Sequence, residues 1–176
     1  MNTFVKIIKL SEFSYCKVKF YSIILDGEEQ IEENSEFYNF LERMENEVEY
    51  ENDLIHLLVW IETIGTIYGA QEKFFRHEGI DSDTSALPPP TNFQKAHEIE
   101  VKDLRLYCLR ASESVVFLFN GGIKTTFEAK DCPNVGKYIK TANRLTKKIN
   151  GLFGTEIKWN KDYTDIEFDS EQEFEI

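Results

Sequence analysis

DLRLYCLRASESVVFLFNGGIKTT, residues 103–126, predicts the centre of a β-sheet. Over residues 104–108 apolar side chains alternate with polar ones, which is the two-residue period of a strand with one apolar and one functional face. Residues 111–114, Ala-Ser-Glu-Ser, are small and polar enough to reverse the chain into a hairpin. Residues 115–119 are then apolar at every position, which predicts a central strand covered on both sides.

A second reversal is predicted at residues 120–122, Asn-Gly-Gly, because these residues tolerate the positive φ angles of a tight turn. Residues 123–126, Ile-Lys-Thr-Thr, then predict a third strand, so that the segment forms a three-stranded antiparallel meander. Arg105 and Tyr107 share one strand face, with Lys124 on the neighbouring strand. We expect this face to be exposed and to gather positive side chains.

The length of 176 residues suits one α+β domain built in three parts. Residues 1–34 predict an N-terminal hairpin of two strands, 3–10 and 15–25, followed by an acidic loop. Residues 35–149 carry the core of the domain. Residues 150–176 are an acidic C-terminal extension, which either adds an edge strand guarded by charge or remains a mobile tail.

Two helices precede the predicted meander. Ser35 is suited to cap the first one, whose apolar stripe recurs at steps of three and four over residues 37–48. The second begins at Asn52 or Asp53, ends near His77 and is apolar nearly all round, so we expect it to be the most buried helix. The pair forms a helical hairpin that covers one face of the sheet.

Residues 81–92 contain turn formers and three consecutive prolines, which predict a rigid surface loop. A further helix is predicted from Pro133 to Asn150 and Gly151, apolar on one side and basic on much of the other. Its basic side suits RNA, an acidic partner or the acidic tail of the chain itself. It is equally an ordinary solvated face.

The charge of the chain is strongly acidic overall and basic in one third. The formal net charge of −12 argues against generic nucleic-acid binding, which normally leaves a basic footprint. Residues 101–150 nevertheless carry ten Lys or Arg against four Asp or Glu, a net of +6. This third either forms a local cationic surface or neutralises the acidic ends of the chain.

No cofactor or metal site is predicted, because the cysteines and histidines are scattered without zinc-ligand spacing: Cys16, Cys108, Cys132, His56, His77 and His97. The chain has no phosphate-loop, dinucleotide-binding, HExxH or GxSxG motif. It also lacks a signal-peptide pattern and any apolar run long enough to cross a membrane. We therefore expect a cytoplasmic protein that has reduced thiols and no membrane partner.

The order of these features resembles the RelE/HigB-like toxins of the RelE/ParE superfamily, which belong to type II toxin–antitoxin systems. The resemblance covers roughly residues 35–149: two helices, an apolar-Arg strand, a second strand, a glycine turn, a lysine-containing strand and a final helix. It rests on Leu104-Arg105, Arg110, Gly121-Gly122, Lys124-Thr125 and the helix near Pro133. The chain departs from the toxin pattern in having one lysine where two are common and in being acidic.

This resemblance implies an mRNA interferase, a ribosome-dependent and metal-independent RNA endonuclease that a cognate antitoxin neutralises. In that reaction the ribose 2′-hydroxyl attacks the adjacent phosphate. The resemblance assigns Arg105 and Arg110 as phosphate clamps, Lys124 as the electrostatic stabiliser, and Tyr107 or His77 as the group that transfers a proton. Each of these residues also has an ordinary structural role open to it, as a cross-strand pair or a helix cap.

Three other functions stay open. The alternatives are a gyrase-directed inhibitor similar to ParE, a degenerate toxin scaffold that binds another protein, and a mobile-element accessory protein with an unrelated α+β fold. Its acidity favours a protein-binding role over an RNA-binding one.

Overall fold

A curved seven-stranded sheet forms the centre of the computed structural model, which describes residues 3–176. Its strands are β1 Phe4–Ser14, β2 Lys19–Leu25, β3 Arg76–His77, β4 Thr84–Leu87, β5 Leu104–Arg110, β6 Val115–Ile123 and β9 Phe174–Glu175; β7 Lys158–Trp159 and β8 Ile166–Glu167 form a separate two-stranded sheet. Along the main sheet the strands follow the order β3-β4-β5-β6-β2-β1-β9. All neighbouring strands are antiparallel except β2 and β6, which run parallel.

Within residues 3–176 four α-helices surround the sheet, so the predicted α+β class is confirmed. They are α1 Glu36–Glu45, α2 Glu51–Thr63, α3 Thr91–Ala96 and α4 Gly136–Leu152. Helix α1 begins where its sequence predicts, because the Ser35 hydroxyl accepts a hydrogen bond of 3.3 Å from the Tyr38 backbone N–H. Helix α2 continues directly into a π-helical turn, Ile64–Tyr68.

Helices cover both faces of the sheet, and this overturns the expectation of an exposed cationic face. On β5, Leu106 packs into the apolar cluster that contains α1 and α2, while Tyr107 packs into the cluster that contains α4. The apolar stripe of α4, including Ile139 and Leu145, occupies the face where open cations were expected. Strand β6 is accordingly buried from residue 115 to residue 122.

The predicted glycine turn is wrong. Strand β6 continues through Gly121 and Gly122, which lie opposite Leu106 and Arg105 of β5. A register shift between β5 and β6 brings the two backbones close here: a Cβ atom on Gly121 would lie 1.9 Å from the Arg105 carbonyl oxygen. The glycines therefore permit a close backbone approach, and residues 124–126 form no third strand.

The other neighbour of β5 is β4, within the segment that was predicted to be a surface loop. Thr84–Leu87 pairs antiparallel with β5, and Pro88 and Pro89 are buried. Upstream, Arg76 and His77 form β3 at the edge of the sheet, so they do not end a helix as predicted. The prolines end β4 because they cannot continue a hydrogen-bonded ladder.

Helix α2 is less buried than predicted, since the side chains of Ile55 and Val59 are 51% and 55% exposed. Val48, which was predicted to extend the stripe of α1, lies beyond that helix and is exposed. Of the two structures considered for the acidic C-terminal extension, the edge strand is the one observed, because Phe174 pairs with Val5 of β1 and is buried. Helix α4 begins three residues later than the predicted Pro133.

Candidate anion-binding site

Two of the predicted site residues, Arg105 and Lys124, line one open cleft of about 620 Å³. Arg105 lies in β5 opposite Gly122, and Lys124 follows the last residue of β6. The Lys124 backbone N–H donates to the Asp103 carbonyl oxygen at 2.8 Å, which fixes the two chain segments beside each other. The remaining lining residues are Asp103, Thr125, Thr126 and Phe127.

Arg105 is a buried cation with an incomplete set of partners. Arg105 is only 9% exposed. Its Nη1 group donates to the carbonyl oxygens of Lys102 and Leu104 at 3.0 and 2.8 Å. The Nε atom is buried and has no hydrogen-bond partner. None of the ion pairs found among residues 3–176 involves Arg105. A buried guanidinium that lacks a carboxylate carries an uncompensated desolvation cost, which a bound anion would offset.

Arg105 also lines a second cavity of about 350 Å³, together with Arg76. Arg76 is held from the neighbouring segment: Nε and Nη2 donate to the carbonyl oxygens of Pro88 and Pro89 at 2.9 and 3.1 Å. Burial lowers the pKa of Arg76, and the positive charge of Arg105 lowers it further against the opposing influence of Glu78. The remaining lining residues are Thr91, Gln94, Lys95, Ile99, Glu100, Val101 and Lys102.

Tyr107 lies beneath the helix layer and cannot reach either cavity in this conformation. Its side chain is fully buried in the cluster that contains α4, and its hydroxyl has no hydrogen-bond partner. Burial raises the pKa of the Tyr107 hydroxyl far above its ordinary value, and the nearby carboxylate of Glu78 raises it further. A phenol that is so hard to ionise is a poor proton acceptor at neutral pH.

The other two predicted residues lie apart from the cleft. Arg110 is at the opposite end of β5, where Nε donates to the Ala70 carbonyl oxygen. His77 is exposed in β3, opposite Ser85 and two strands away from Arg105. The structure therefore brings together Arg105 and Lys124, and it separates both from Arg110 and His77.

Cys132 is a polar group beside this site that the sequence did not single out. It precedes helix α4, and its sulfur accepts a hydrogen bond from the backbone N–H of Thr125, a cleft residue, at 3.4 Å and shares another with the Thr125 hydroxyl at 3.5 Å. Burial alone would raise the pKa of the thiol, but these bonds and those from the backbone N–H groups of Asn134 and Val135 lower it from 9.0 to about 6. The position of Cys132 just before Pro133 and a predicted helix was the available signal.

Neither a cluster of metal-binding side chains nor a membrane-spanning helix is found in the part of the chain that the structure describes. Within residues 3–176 no three His, Cys, Asp or Glu side chains converge as a metal site would require. No helix in the same range combines the length and apolarity needed to span a bilayer. Comparison with protein-family models, curated proteins and solved structures gives no match to this chain.

Proposed function

We propose that this chain is the toxin of a two-gene toxin–antitoxin module and that it holds an RNA phosphodiester in the cleft between Arg105 and Lys124. The observation that carries the proposal is the buried Arg105 guanidinium, which has an unpartnered Nε and no carboxylate. Arginine presents planar donors that suit phosphate oxygens, and Lys124 adds a second positive charge at the same cleft. A cognate antitoxin would then act by covering this cleft.

The reaction is metal-independent cleavage of mRNA on the ribosome. The 2′-hydroxyl attacks the adjacent phosphate, its proton is taken up by a base, and the leaving 5′-oxygen receives a proton. Arg105 and Lys124 stabilise the additional negative charge on the phosphorane. Asp103 is the carboxylate among the six residues that line the cleft, so we assign it the role of the base, which was first given to Tyr107 or His77.

Expression of the chain alone tests this proposal. We expect growth arrest with cleaved transcripts, and we expect Lys124→Ala and Asp103→Asn to relieve it, since loss of one preorganised group typically costs about 10²–10³ in rate. Lys140→Ala, at an exposed position of α4, is the matched control that should still arrest growth. Arg105→Lys provides a third variant that keeps the charge and removes the planar donors.

Normal growth at verified expression of the folded chain would count against the toxin assignment. Arrest that survives Lys124→Ala, Asp103→Asn and Arg105→Lys together would place the activity elsewhere on the molecule. A small helix-turn-helix protein encoded beside this gene would support a two-gene module.

The second candidate is a protein-binding inhibitor on the same scaffold, directed against gyrase or another partner. One observation favours it: the net charge of −12 repels nucleic acid at long range, whereas it does not disfavour a basic protein surface. A gyrase inhibitor would leave mRNA intact and cause DNA damage. RNA sequencing performed beside a supercoiling assay separates the two candidates.

A further inference from the structure

Arg76 and Arg105 line one cavity, and among residues 3–176 no carboxylate forms an ion pair with either guanidinium. The ion pairs found among residues 3–176 all involve Lys6 or Lys9, and those two residues lie in β1, three strand positions from β5. Glu78 influences the pKa of Arg76 and Glu100 lines the cavity, but neither forms an ion pair with the two arginines.

The hydrogen bonds of the two arginines leave donors unused. Arg105 bonds protein carbonyls only through Nη1, so the edge formed by Nε and Nη2 has no protein acceptor among the described residues. Arg76 uses Nε and Nη2 on two proline carbonyls, and Nη1 has no such bond. An Nε–Nη2 edge offers two parallel N–H groups, the arrangement that meets two oxygens of a phosphate or carboxylate.

The same Arg105 side chain lines both this cavity and the Lys124 cleft. An anion on each side would satisfy the guanidinium from two directions. Lys95 and Lys102 add positive charge around the Arg76 side, while Lys124 supplies it on the other. A ligand with two successive phosphates fits this distribution better than a ligand with one.

We infer that the cavity between Arg76 and Arg105 binds a second phosphate, so that the ligand of this protein carries two consecutive phosphate groups, one on each side of Arg105. An RNA backbone step has this chemistry, because a ribose separates its two phosphates. The phosphates of a free diphosphate share one bridging oxygen and cannot lie on opposite sides of a guanidinium. This inference deepens the proposed function and rests on it for the nature of the ligand. Arg76 thereby becomes a binding residue that the resemblance did not assign.

Titration of the purified full-length chain tests the inference without any cleavage reaction. Three probes are compared: UpU with one phosphate, 5′-phosphorylated UpU with two, and inorganic pyrophosphate. We expect the two-phosphate dinucleotide to bind about tenfold to hundredfold more tightly than UpU, the range expected of one further hydrogen-bonded charge. Pyrophosphate should bind more weakly than the two-phosphate dinucleotide, and equally tight binding would contradict the placement of one phosphate on each side of Arg105.

Variants assign the preference to the cavity. Arg76→Met should reduce the affinity for the two-phosphate dinucleotide to that for UpU. Arg76→Lys, which keeps a cation, should retain part of the preference, and Lys140→Met on the exposed surface of α4 should retain all of it. Circular dichroism of each variant confirms that a lost preference does not reflect a lost fold.

Equal affinities of the wild-type chain for the two dinucleotides would overturn the inference, as would a preference that survives Arg76→Met. These outcomes are independent of the growth experiment. A two-phosphate preference without growth arrest would keep the site and refute the toxin function. Growth arrest without the preference would support the toxin function and refute the second phosphate site.

Discussion

Gly121 shows how a single residue type can predict opposite local structures. Asn-Gly-Gly is typical of a tight turn, because glycine accepts positive φ angles. Here the same property of lacking a Cβ atom serves a strand, since Gly121 faces the Arg105 carbonyl at the register shift between β5 and β6. The position of Arg105, and therefore of the candidate site, depends on this contact.

Gly121→Ala should destabilise the protein. The added methyl group would lie 1.9 Å from backbone oxygen, which cannot rotate away, so strands β5 and β6 must separate. Overpacking of this kind costs about 1–3 kcal/mol in the free energy of unfolding, measured by chemical denaturation.

Gly151→Ala is the matched control for that experiment. Gly151 lies in α4, and a Cβ atom built there meets nothing within 4 Å. Replacement of glycine by alanine in a helix is expected to stabilise by about 0.5–1 kcal/mol. Equal stability of the two variants would show that β5 and β6 have room to spare at Gly121.

Among the elements, those with a strong local pattern were predictable. The cap at Ser35, the apolar strand from residue 115 and the amphipathic helix ending near residue 151 each carry their signal within one segment. Strand β4 carries no such signal, because Thr84–Leu87 is short and three prolines follow it. Its pairing with β5 arises from tertiary packing, which overrides the turn formers around it.

The exposed side of α2 was equally hard to predict. Ile55 and Val59 are apolar and β-branched, and their spacing suits a buried helix face. Which side of such a helix meets the sheet is set by the loops that carry it and by its neighbours, and this information does not lie within the helix. The cavity at Arg76 could not be predicted for the same reason, because Arg76 comes near Arg105 only when β3 pairs with β4 and β4 pairs with β5.

The β7–β8 hairpin is tied to the main sheet by Asp165, whose carboxylate accepts hydrogen bonds from Lys9 at 2.7 Å and from the Tyr21 hydroxyl. Burial would raise the pKa of Asp165, but the bonds from Lys9 and Tyr21 outweigh it and lower the pKa below 3.8. A lowered folded-state pKa stabilises the protein above the unfolded-state value of 3.8, and this contribution is lost as the pH falls through the folded-state value.

Asp165→Asn should therefore reduce the free energy of unfolding at pH 7 by about 2 kcal/mol, the range of hydrogen bonds to charged groups. The deficit relative to wild type should shrink as the pH falls from 3.8 through the lower folded-state pKa of Asp165, because the wild-type carboxylate then also becomes neutral. Denaturation curves recorded from pH 7 down to pH 3 measure this. Asp162→Asn, at an exposed position of the same hairpin, should behave as wild type at every pH. A deficit independent of pH would show that Asp165 acts through shape alone.

At the scale of the whole molecule, a local cationic site is embedded in a negative field. The chain carries −12 overall, yet the two cavities around Arg105 are lined by arginine and lysine side chains. Short-range contacts therefore attract a phosphate that the distant carboxylates repel. Such an arrangement favours binding through a few local phosphate contacts over binding along an extended stretch of nucleic acid.

The salt dependence of binding should reveal this balance. For single-stranded RNA, each phosphate contact contributes a slope of about −0.7 to log affinity against log salt concentration, so two contacts give about −1.4. Because salt also screens the repulsion from the acidic surface, we expect a shallower slope than this value. Fluorescence anisotropy of a labelled oligonucleotide between about 50 and 200 mM salt measures it.

Neutralising exposed carboxylates provides the comparison. The triple variant Glu45→Gln, Glu47→Gln and Glu49→Gln should bind RNA more tightly at low salt and show a steeper slope. A wild-type slope much steeper than −1.4 would mean that many more phosphates are bound than the two assigned here.

The parallel pairing between Lys19–Tyr21 and Val115–Phe117 delays the completion of folding during synthesis of this chain. An emerging polypeptide can close the β1–β2 hairpin early, but the inner edge of β2 then waits for a partner whose first residue is made 96 positions later. High contact order slows folding, and an unpaired apolar strand edge invites association with other nascent chains. Pauses in translation between these two strands would prolong that exposure. A chaperone that covers the unpaired strand edge would prevent its association with other chains during this time.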